Sequence, residues 1–229
     1  MTLVDAIRLT EILLGLAFLQ QSIEHIHAPK NERYIFLPRI GFSLLLMIGF
    51  QTQWVCLALL ILALLALKRF QGPYNGGSDR MSLLVLSCLS LTHFMPTLRF
   101  QEYVFGYLAL QCVLSYFISG WVKIVNPQWR NGRALGDVFC FSAYPASEAL
   151  RSWANWPRLL YVMSWAVILF ELLFPLSLLT QTTLIAALII AATFHLANAC
   201  LFGLNRFFWI WLSAYPAILW LQQRIFEIG

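Results

Sequence analysis

Long apolar runs divide this chain into about eight segments of helix-forming length, joined by short polar connections. A helix needs about 20 apolar residues to cross the hydrocarbon core of a bilayer. Only 11% of the residues are charged, whereas about 25% are charged in a typical soluble domain. With so few charges, lipid must cover most of the surface. We predict an all-α integral membrane protein, a single polytopic bundle over 1–229, with spans at about 3–23, 34–50, 54–67, 81–95, 103–124, 159–180, 184–200 and 207–225.

The basic residues are distributed unevenly between the two ends of the predicted spans. Arg8, Arg99 and Arg224 fall at one end, and the other twelve of the 15 Lys and Arg fall at the opposite end. Lys and Arg in short loops resist translocation, so the basic end should be cytoplasmic. We expect both termini to face outward, in a bacterial inner membrane. Charges spread over several connections suit anionic membrane lipids, and we expect no nucleic-acid partner.

Three charged residues lie close together in the first predicted span. Asp5, Arg8 and Glu11 are spaced three apart, which places them on one face of a helix. Charge that faces lipid is costly, so this stripe should face the bundle interior. It either locks neighbouring helices together or forms part of a proton or small-solute path. Because these charges interrupt the first apolar run, we expect no cleavable signal there.

The connection from about 125 to 155 is the longest in the chain and is rich in aromatic residues. So many aromatic side chains favour packing at the membrane interface over a position in water. We expect one long interfacial loop that contains an amphipathic helix near 132–141. Loops of this length in a compact domain are often functional.

Two later spans carry polar groups deep in apolar sequence. The carboxyl group of Glu171 has about a dozen apolar residues on each side, so it must pair with Arg or His or stay protonated. It acts either in proton transfer or as a helix-locking hydrogen-bonding group. His195 and Asn198 are three apart and share one helix face. They are either structural groups, or a proton relay and a contact for a quinone headgroup.

Lys123 ends the fifth predicted span, beside Trp121 and ahead of Trp129. Its amine either snorkels to lipid headgroups or is partly desolvated. A partly desolvated amine is a usable general base near neutral pH. In that second interpretation the two tryptophans are candidate walls of a binding pocket.

Metal binding is not indicated by the histidines or the cysteines. His25 and His27 are two apart, which suits neither one helix face nor a common ligand spacing. The five cysteines show no C-x-x-C spacing, and four lie inside apolar runs, so we expect small buried hydrophobic residues.

One block of sequence resembles a known family. The residues from Tyr116 to Leu135 (YFISGWVKIVNPQWRNGRAL) resemble the HTTM family, the membrane domain shared with vitamin K-dependent gamma-carboxylase. The resemblance covers much of the chain from about residue 70 onward. Three further features are similar to that family: the Glu-x-x-x-Pro of Glu171 to Pro175, the pair Phe194-His195, and Gly203-Leu204-x-x-Phe207.

The resemblance carries expectations about chemistry. It implies that Lys123 is the base that deprotonates a vitamin K-type hydroquinone, whose oxygenation yields a strong base that removes a glutamate γ-proton. It also implies a cofactor-binding place for Asn75, in Asn75-Gly76-Gly77, where the family has an Asn-Asn-His stretch. The histidine of that stretch has no counterpart in this chain.

Three functions remain open, and the sequence alone does not decide whether the chain is an enzyme. The first is a quinone- or lipid-binding redox or carboxylase-like module, with a quinone-like lipid as cofactor. The second is a non-catalytic accessory subunit that packs against a larger membrane complex. The third, a proton or small-solute transporter, ranks last because no inverted repeat is found. For the first, the predicted catalytic residues are Lys123, Glu171 and His195, and the predicted cofactor-binding residues are Asn75, Trp121, Trp129 and Asn198.

Overall fold

The computed structural model describes residues 1–26, 30–69 and 77–227, with the side chains of 30–32, 69 and 227 excepted. Within these ranges all regular structure is helical and no strand occurs. The chain divides into two compact units. The terminal unit comprises 1–110 together with 206–229, and the central unit comprises 111–205.

The terminal unit is built from helices that pack in chain order. It contains α1 (Leu3–Glu24), α2 (Lys30–Ile48), α3 (Thr52–Arg69), α4 (Gly77–Phe94), the first half of α5 (Leu98–Val125) and α10 (Asn205–Glu227). α1 packs on α2, α2 on α3, and α3 on α4. α1 begins with a capping box, in which the side chains of Thr2 and Asp5 each accept the other's backbone N–H. Gly15 brings α1 close to α2, because an added Cβ would lie 2.6 Å from Met47 Cγ.

The central unit begins with the second half of α5 and ends with a long apolar helix. It contains α6 (Pro127–Arg130), α7 (Arg133–Phe141), a 3-10 helix (Glu148–Asn155), α8 (Pro157–Leu173), a second 3-10 helix (Phe174–Leu179) and α9 (Gln181–Phe202). α8 ends just before Pro175, because proline has no N–H for the α-helical ladder and its ring clashes with the preceding turn. Gly203, with φ at +70°, closes α9 in the left-handed conformation that glycine adopts without strain.

The long connection of the central unit is folded throughout. The amphipathic helix expected near 132–141 is confirmed as α7, which buries Phe139 against Leu150, Leu160 and Phe202. Behind it, the N–H of Ala146 donates to a carbonyl of α9. The connection therefore packs on α8 and α9, and the apolar face of α7 is buried within the central unit.

All eight predicted segments coincide with helices, but these helices differ in whether their length and hydropathy suit membrane crossing. In the described part of the chain, three helices are long and apolar enough to cross a bilayer: α5, α8 with its 3-10 extension (Pro157–Leu179), and α9. The apolar run of α3 is shorter. Large apolar side chains of the crossing helices are exposed, among them Val162 at 64% and Ile189 at 61%, as expected for lipid contact. The count of eight spans stays a prediction.

Candidate functional site

A buried ion pair joins α5 to α8 in the central unit. Lys123 donates to both carboxylate oxygens of Glu171, with Nζ 2.8 Å from Oε1 and 2.6 Å from Oε2. The two side chains are only 16% and 6% exposed. An unpaired charge in such surroundings costs several kcal/mol, so each group provides the counter-charge that the other needs. The partner of Glu171 is thus a lysine, where the sequence suggested an arginine or a histidine.

The ion pair depends on a close approach of the two helix backbones. Gly120 lies one turn before Lys123, and a Cβ added to it would come within 2.7 Å of the backbone nitrogen of Leu172 and 3.0 Å of Glu171 Cβ. Real Cβ atoms do not approach other atoms so closely. Any larger residue would therefore separate α5 from α8 at the level of the carboxylate.

An aromatic ring lies beside the ammonium group. The Nζ of Lys123 is 5.2 Å from the centroid of the Trp129 ring, within the range of a cation–π contact. Trp129 belongs to α6, a single turn that Asn126 caps by accepting the N–H of Gln128. α8 donates hydrogen bonds to the last carbonyls of that turn: Ser164 donates to the carbonyl of Trp129, which also accepts the N–H of Gly132. Trp165 Nε1 likewise donates to the next carbonyl, at 3.0 Å.

A second polar pair lies on the same face of α5. Tyr116, Gly120 and Lys123 occupy positions i, i+4 and i+7, which line one helix face. The hydroxyl of Tyr116 is 2.9 Å from Nε2 of His195 on α9, and both residues are buried. The Tyr116 ring also stacks on Phe174, with the ring centroids 4.1 Å apart. The ion pair and this hydrogen bond are about two helical turns, or roughly 10 Å, apart along α5.

The structure brings some of the predicted site residues together and leaves others apart. Lys123, Glu171 and Trp129 form one cluster, and His195 lies on the same side of α5. Trp121 is 56% exposed and stacks on Phe117, so it does not reach the ion pair. Asn198 is half-buried, and its backbone carbonyl accepts the N–H of Leu204. Asn75 and His27 lie outside the described residues.

Sequence analysis missed Tyr116, Gly120 and Ser164 as contributors to the site. The spacing of Tyr116 and Gly120 from Lys123 was a usable signal, because both fall on the lysine's helix face. Nothing in the sequence alone pairs Ser164 with the carbonyl of Trp129, since that contact depends on how α6 packs on α8.

The charged stripe of α1 forms a separate network inside the terminal unit. Glu11 is bound by Arg8 Nη1 at 2.7 Å and by His93 Nε2 at 2.6 Å, and the arginine also donates to the carbonyls of Leu46 and Met47. The network therefore ties α1 to α2 and α4, with the arrangement of a helix lock. Asp5 belongs instead to the N-terminal cap of α1.

The described residues contain no cluster of side chains suited to bind a metal ion. No group of three His, Cys, Asp or Glu side chains lies close enough to hold a metal ion there. The five cysteines are free thiols: Cys56, Cys88 and Cys112 are buried, Cys140 is partly exposed and Cys200 is exposed.

Comparison with known proteins gives one match. A family model described as the HTTM domain matches residues 87–222, more than half of the chain and the whole of the central unit. Neither the curated proteins nor the solved structures contain a significant match.

Proposed function

Because the chain belongs to the HTTM family of membrane proteins, we propose that the Lys123–Glu171 pair is a proton-exchange centre for a quinone-like lipid. The observation that carries the proposal is a lysine–glutamate ion pair set among apolar helices with a tryptophan ring beside the ammonium. The donor set suits a hydroquinone, which presents an acidic hydroxyl on a flat apolar ring. Trp129 supplies a flat face for that ring, and Lys123 supplies a cation for its oxygen.

The proposed proton transfer needs no other reactant. Lys123 passes one proton to the carboxylate of Glu171 and accepts the hydroxyl proton of the bound lipid. The ammonium restored in this way pairs with the oxygen anion of the lipid, while Glu171 is left as a neutral acid. Transfer within the pair is aided by the surroundings, because burial disfavours the charged forms of both groups. His195 is hydrogen-bonded to Tyr116, and we assign it a second role in proton transfer.

A non-catalytic role is the alternative that the same contact favours. A bidentate ion pair satisfies both partners, and an accessory subunit needs no more than such a lock between α5 and α8. The two functions differ in one respect. A purely structural ion pair still forms when the lysine and the glutamate exchange positions. A lysine that acts as base for a bound lipid must instead stay on α5 beside Trp129.

The test uses the full chain in mild detergent and a naphthohydroquinone with a short isoprenoid tail. Binding is followed by quenching of tryptophan fluorescence, and ionisation by the absorbance of the hydroquinone anion. We expect wild-type protein to lower the pH of half-ionisation of the probe by about one unit or more, since a nearby cation favours the anion. Lys123→Ala should lose this effect, and Lys68→Ala, which removes an exposed lysine at the end of α3, should keep it.

The exchanged pair separates the two functions. Lys123→Glu combined with Glu171→Lys should restore the folded state but not the effect on the probe. Folded Lys123→Ala protein that ionises the probe as well as the wild type does would overturn the proposal. The accessory role would then be tested by whether a stoichiometric partner copurifies in mild detergent.

A further inference from the structure

The terminal unit contains a polar cavity of about 190 Å³. It lies at one end of that unit, between the last turns of α1 and α3, the first half of α2 and the first turns of α4 and α10. Its polar lining comprises Gln21, His25, Arg39, Asp79, Ser82 and Arg206. The volume corresponds to about six water molecules, enough for a phosphate group.

Arg39 is the most buried cation of the cavity wall. The residue is 4% exposed, and its guanidinium lies 3.9 Å from the centroid of the Phe18 ring. One nitrogen, Nη2, donates to the side-chain oxygen of Gln21 at 2.6 Å. The Nε is buried and has no hydrogen-bond partner among the described residues. Guanidinium carries five N–H donors, so this buried cation has donor capacity that the surrounding side chains do not use.

A second arginine is fixed in the wall by a histidine. Nδ1 of His25 lies 2.9 Å from the carbonyl oxygen of Gln21 and must donate to it. Its Nε2 lies 3.1 Å from Arg206 Nη2 and accepts from it. A ring that donates at one nitrogen and accepts at the other is neutral, so His25 adds no charge. It holds Arg206 at the cavity.

The charges of the cavity wall do not balance. Arg39 and Arg206 contribute two positive charges, Asp79 contributes one negative charge, and His25 is neutral. Within the described part of the wall, one positive charge is therefore left over in a site where an uncompensated charge is costly. The cavity also lies at the basic ends of the predicted spans, where anionic lipid headgroups concentrate if that side is cytoplasmic.

We propose that this cavity binds a phosphate group, with Arg39 and Arg206 as the donors. The planar fork of guanidinium matches phosphate oxygens in two-point hydrogen bonds, and a singly charged phosphodiester would cancel the excess charge. The group can be the phosphodiester of an anionic phospholipid or free inorganic phosphate, since both present the same oxygens. This proposal does not rest on the proposed function of the Lys123–Glu171 pair.

The experiment measures binding of two probes to the full chain in an uncharged detergent. The first probe is inorganic phosphate, read out as the rise in thermal unfolding temperature relative to chloride at equal ionic strength. The second is phosphatidylglycerol, compared with phosphatidylcholine by native mass spectrometry of the protein–lipid complex. We expect at least one probe to bind in preference to its reference. Binding of phosphatidylglycerol alone identifies a lipid headgroup as the source, and binding of phosphate alone identifies the free anion.

Four variants make the test specific. Arg39→Gln and Arg206→Gln should each weaken binding about 10-fold or more, as expected for the loss of a hydrogen bond to a charged group. Asp79→Asn should tighten it severalfold, since it removes the one opposing charge. Arg133→Gln, which removes an exposed arginine of the central unit, should leave it unchanged.

Two results would overturn the proposal. One is wild-type protein that prefers neither probe over its reference. The other is binding that stays at the wild-type level in the two cavity variants. If Arg39→Gln does not fold, Arg206→Gln and Asp79→Asn still decide, because they are predicted to change affinity in opposite directions.

Discussion

In the central unit the ammonium of Lys123 meets the carboxylate of Glu171, whereas in the terminal unit two arginines line a cavity in which Asp79 is the one carboxylate among the described residues. Both regions take cations out of water. The pair in the central unit is satisfied by the protein itself and can hold helices or exchange protons internally. Among the described residues, the cations of the terminal-unit cavity are not satisfied in this way, which is why we propose an anion from outside the chain for it. The balance of charge therefore distinguishes a centre whose charges are already paired from one that can take up a counter-ion.

The imbalance is local and is not a property of the whole terminal unit. In the same unit, Arg8 and His93 converge on Glu11, and the arginine also donates to the backbone carbonyls of Leu46 and Met47. The charges of that network are paired within the protein, as are those of the ion pair in the central unit. The contrast within one unit strengthens the case that the cavity arginines have a separate role.

The largest expected effect comes from removing one half of the matched pair. Glu171→Gln leaves the Lys123 ammonium buried without a counter-charge, and we expect a loss of about 3 kcal/mol in the free energy of unfolding. Denaturant titration in mild detergent measures it. Lys123→Met combined with Glu171→Gln should recover most of the loss, because no buried charge remains.

An exposed ion pair provides the control for that measurement. Glu148 pairs with Arg151, but its side chain is 79% exposed. Glu148→Gln should have a much smaller effect on the free energy of unfolding, because water and salt screen an exposed pair. A loss in Glu171→Gln no larger than this would mean that the buried pair does not hold the central unit together.

The second prediction concerns the close approach that makes the matched pair possible. Gly120→Ala should destabilise the protein by about 1–3 kcal/mol, because its Cβ would collide with the backbone of α8. Gly41→Ala is the matched control, since no atom lies within 4 Å of the added Cβ. That control should be stabilised by about 0.5–1 kcal/mol, as alanine is the better helix former. Equal effects of the two substitutions would contradict the predicted collision.

The third prediction concerns pH at the unmatched cavity. Burial raises the pKa of the Asp79 carboxyl above its usual value, against the opposing effects of Arg206 and Arg39. In the described part of the wall, the charged or titratable groups are those two arginines and His25, and α3 contributes apolar residues. As the pH falls through this raised pKa, Asp79 loses its charge and the positive excess grows. Phosphatidylglycerol, whose phosphodiester stays singly charged, should therefore bind more tightly at lower pH.

The pH effect can be assigned to one side chain. Lipid binding measured by native mass spectrometry over a series from neutral to acid pH should rise toward the acid end in the wild type and stay nearly flat in Asp79→Asn. An unchanged pH dependence in the variant would contradict the assignment of the effect to Asp79.

The smallest effect is expected where the matched pair meets its aromatic neighbour. Ser164→Ala removes the hydrogen bond to the carbonyl of Trp129 and should cost about 1 kcal/mol. Because that bond holds α6 against α8, the environment of Trp129 should also change. The fluorescence spectrum, with Trp129→Phe as the reference for its contribution, measures the change. An unaltered spectrum would mean that Trp165 alone holds α6 in place.

Sequence reasoning identified the helices and the family well, and for a physical reason. Long apolar runs separated by polar connections have few alternatives to membrane helices, so every predicted segment falls on a helix. The match to the HTTM domain confirms the resemblance first seen around Lys123. The number of spans was harder to predict from the sequence, because α1, α2 and α4 carry buried polar groups that lower their hydropathy without changing their length.

The site was predictable in its residue types but not in its pairings. Lys123 and Glu171 stood out because each is an ionisable group in apolar sequence, yet they are 48 residues apart and only the packing of α5 on α8 joins them. The cavity was not anticipated at all. Arg39 was counted among the residues that set the orientation, since a charge in a sequence does not reveal whether the folded chain supplies its counter-ion.

Helix α8 carries two attachments seven residues apart, Ser164 to the α6 turn and Glu171 to the end of α5. Seven residues are about two turns, so both attachments project from one side of the same rod. Any sliding or tilting of α8 then carries the tryptophan and the lysine along together. The distance between the Trp129 ring and the Lys123 ammonium should therefore stay nearly constant when α8 moves.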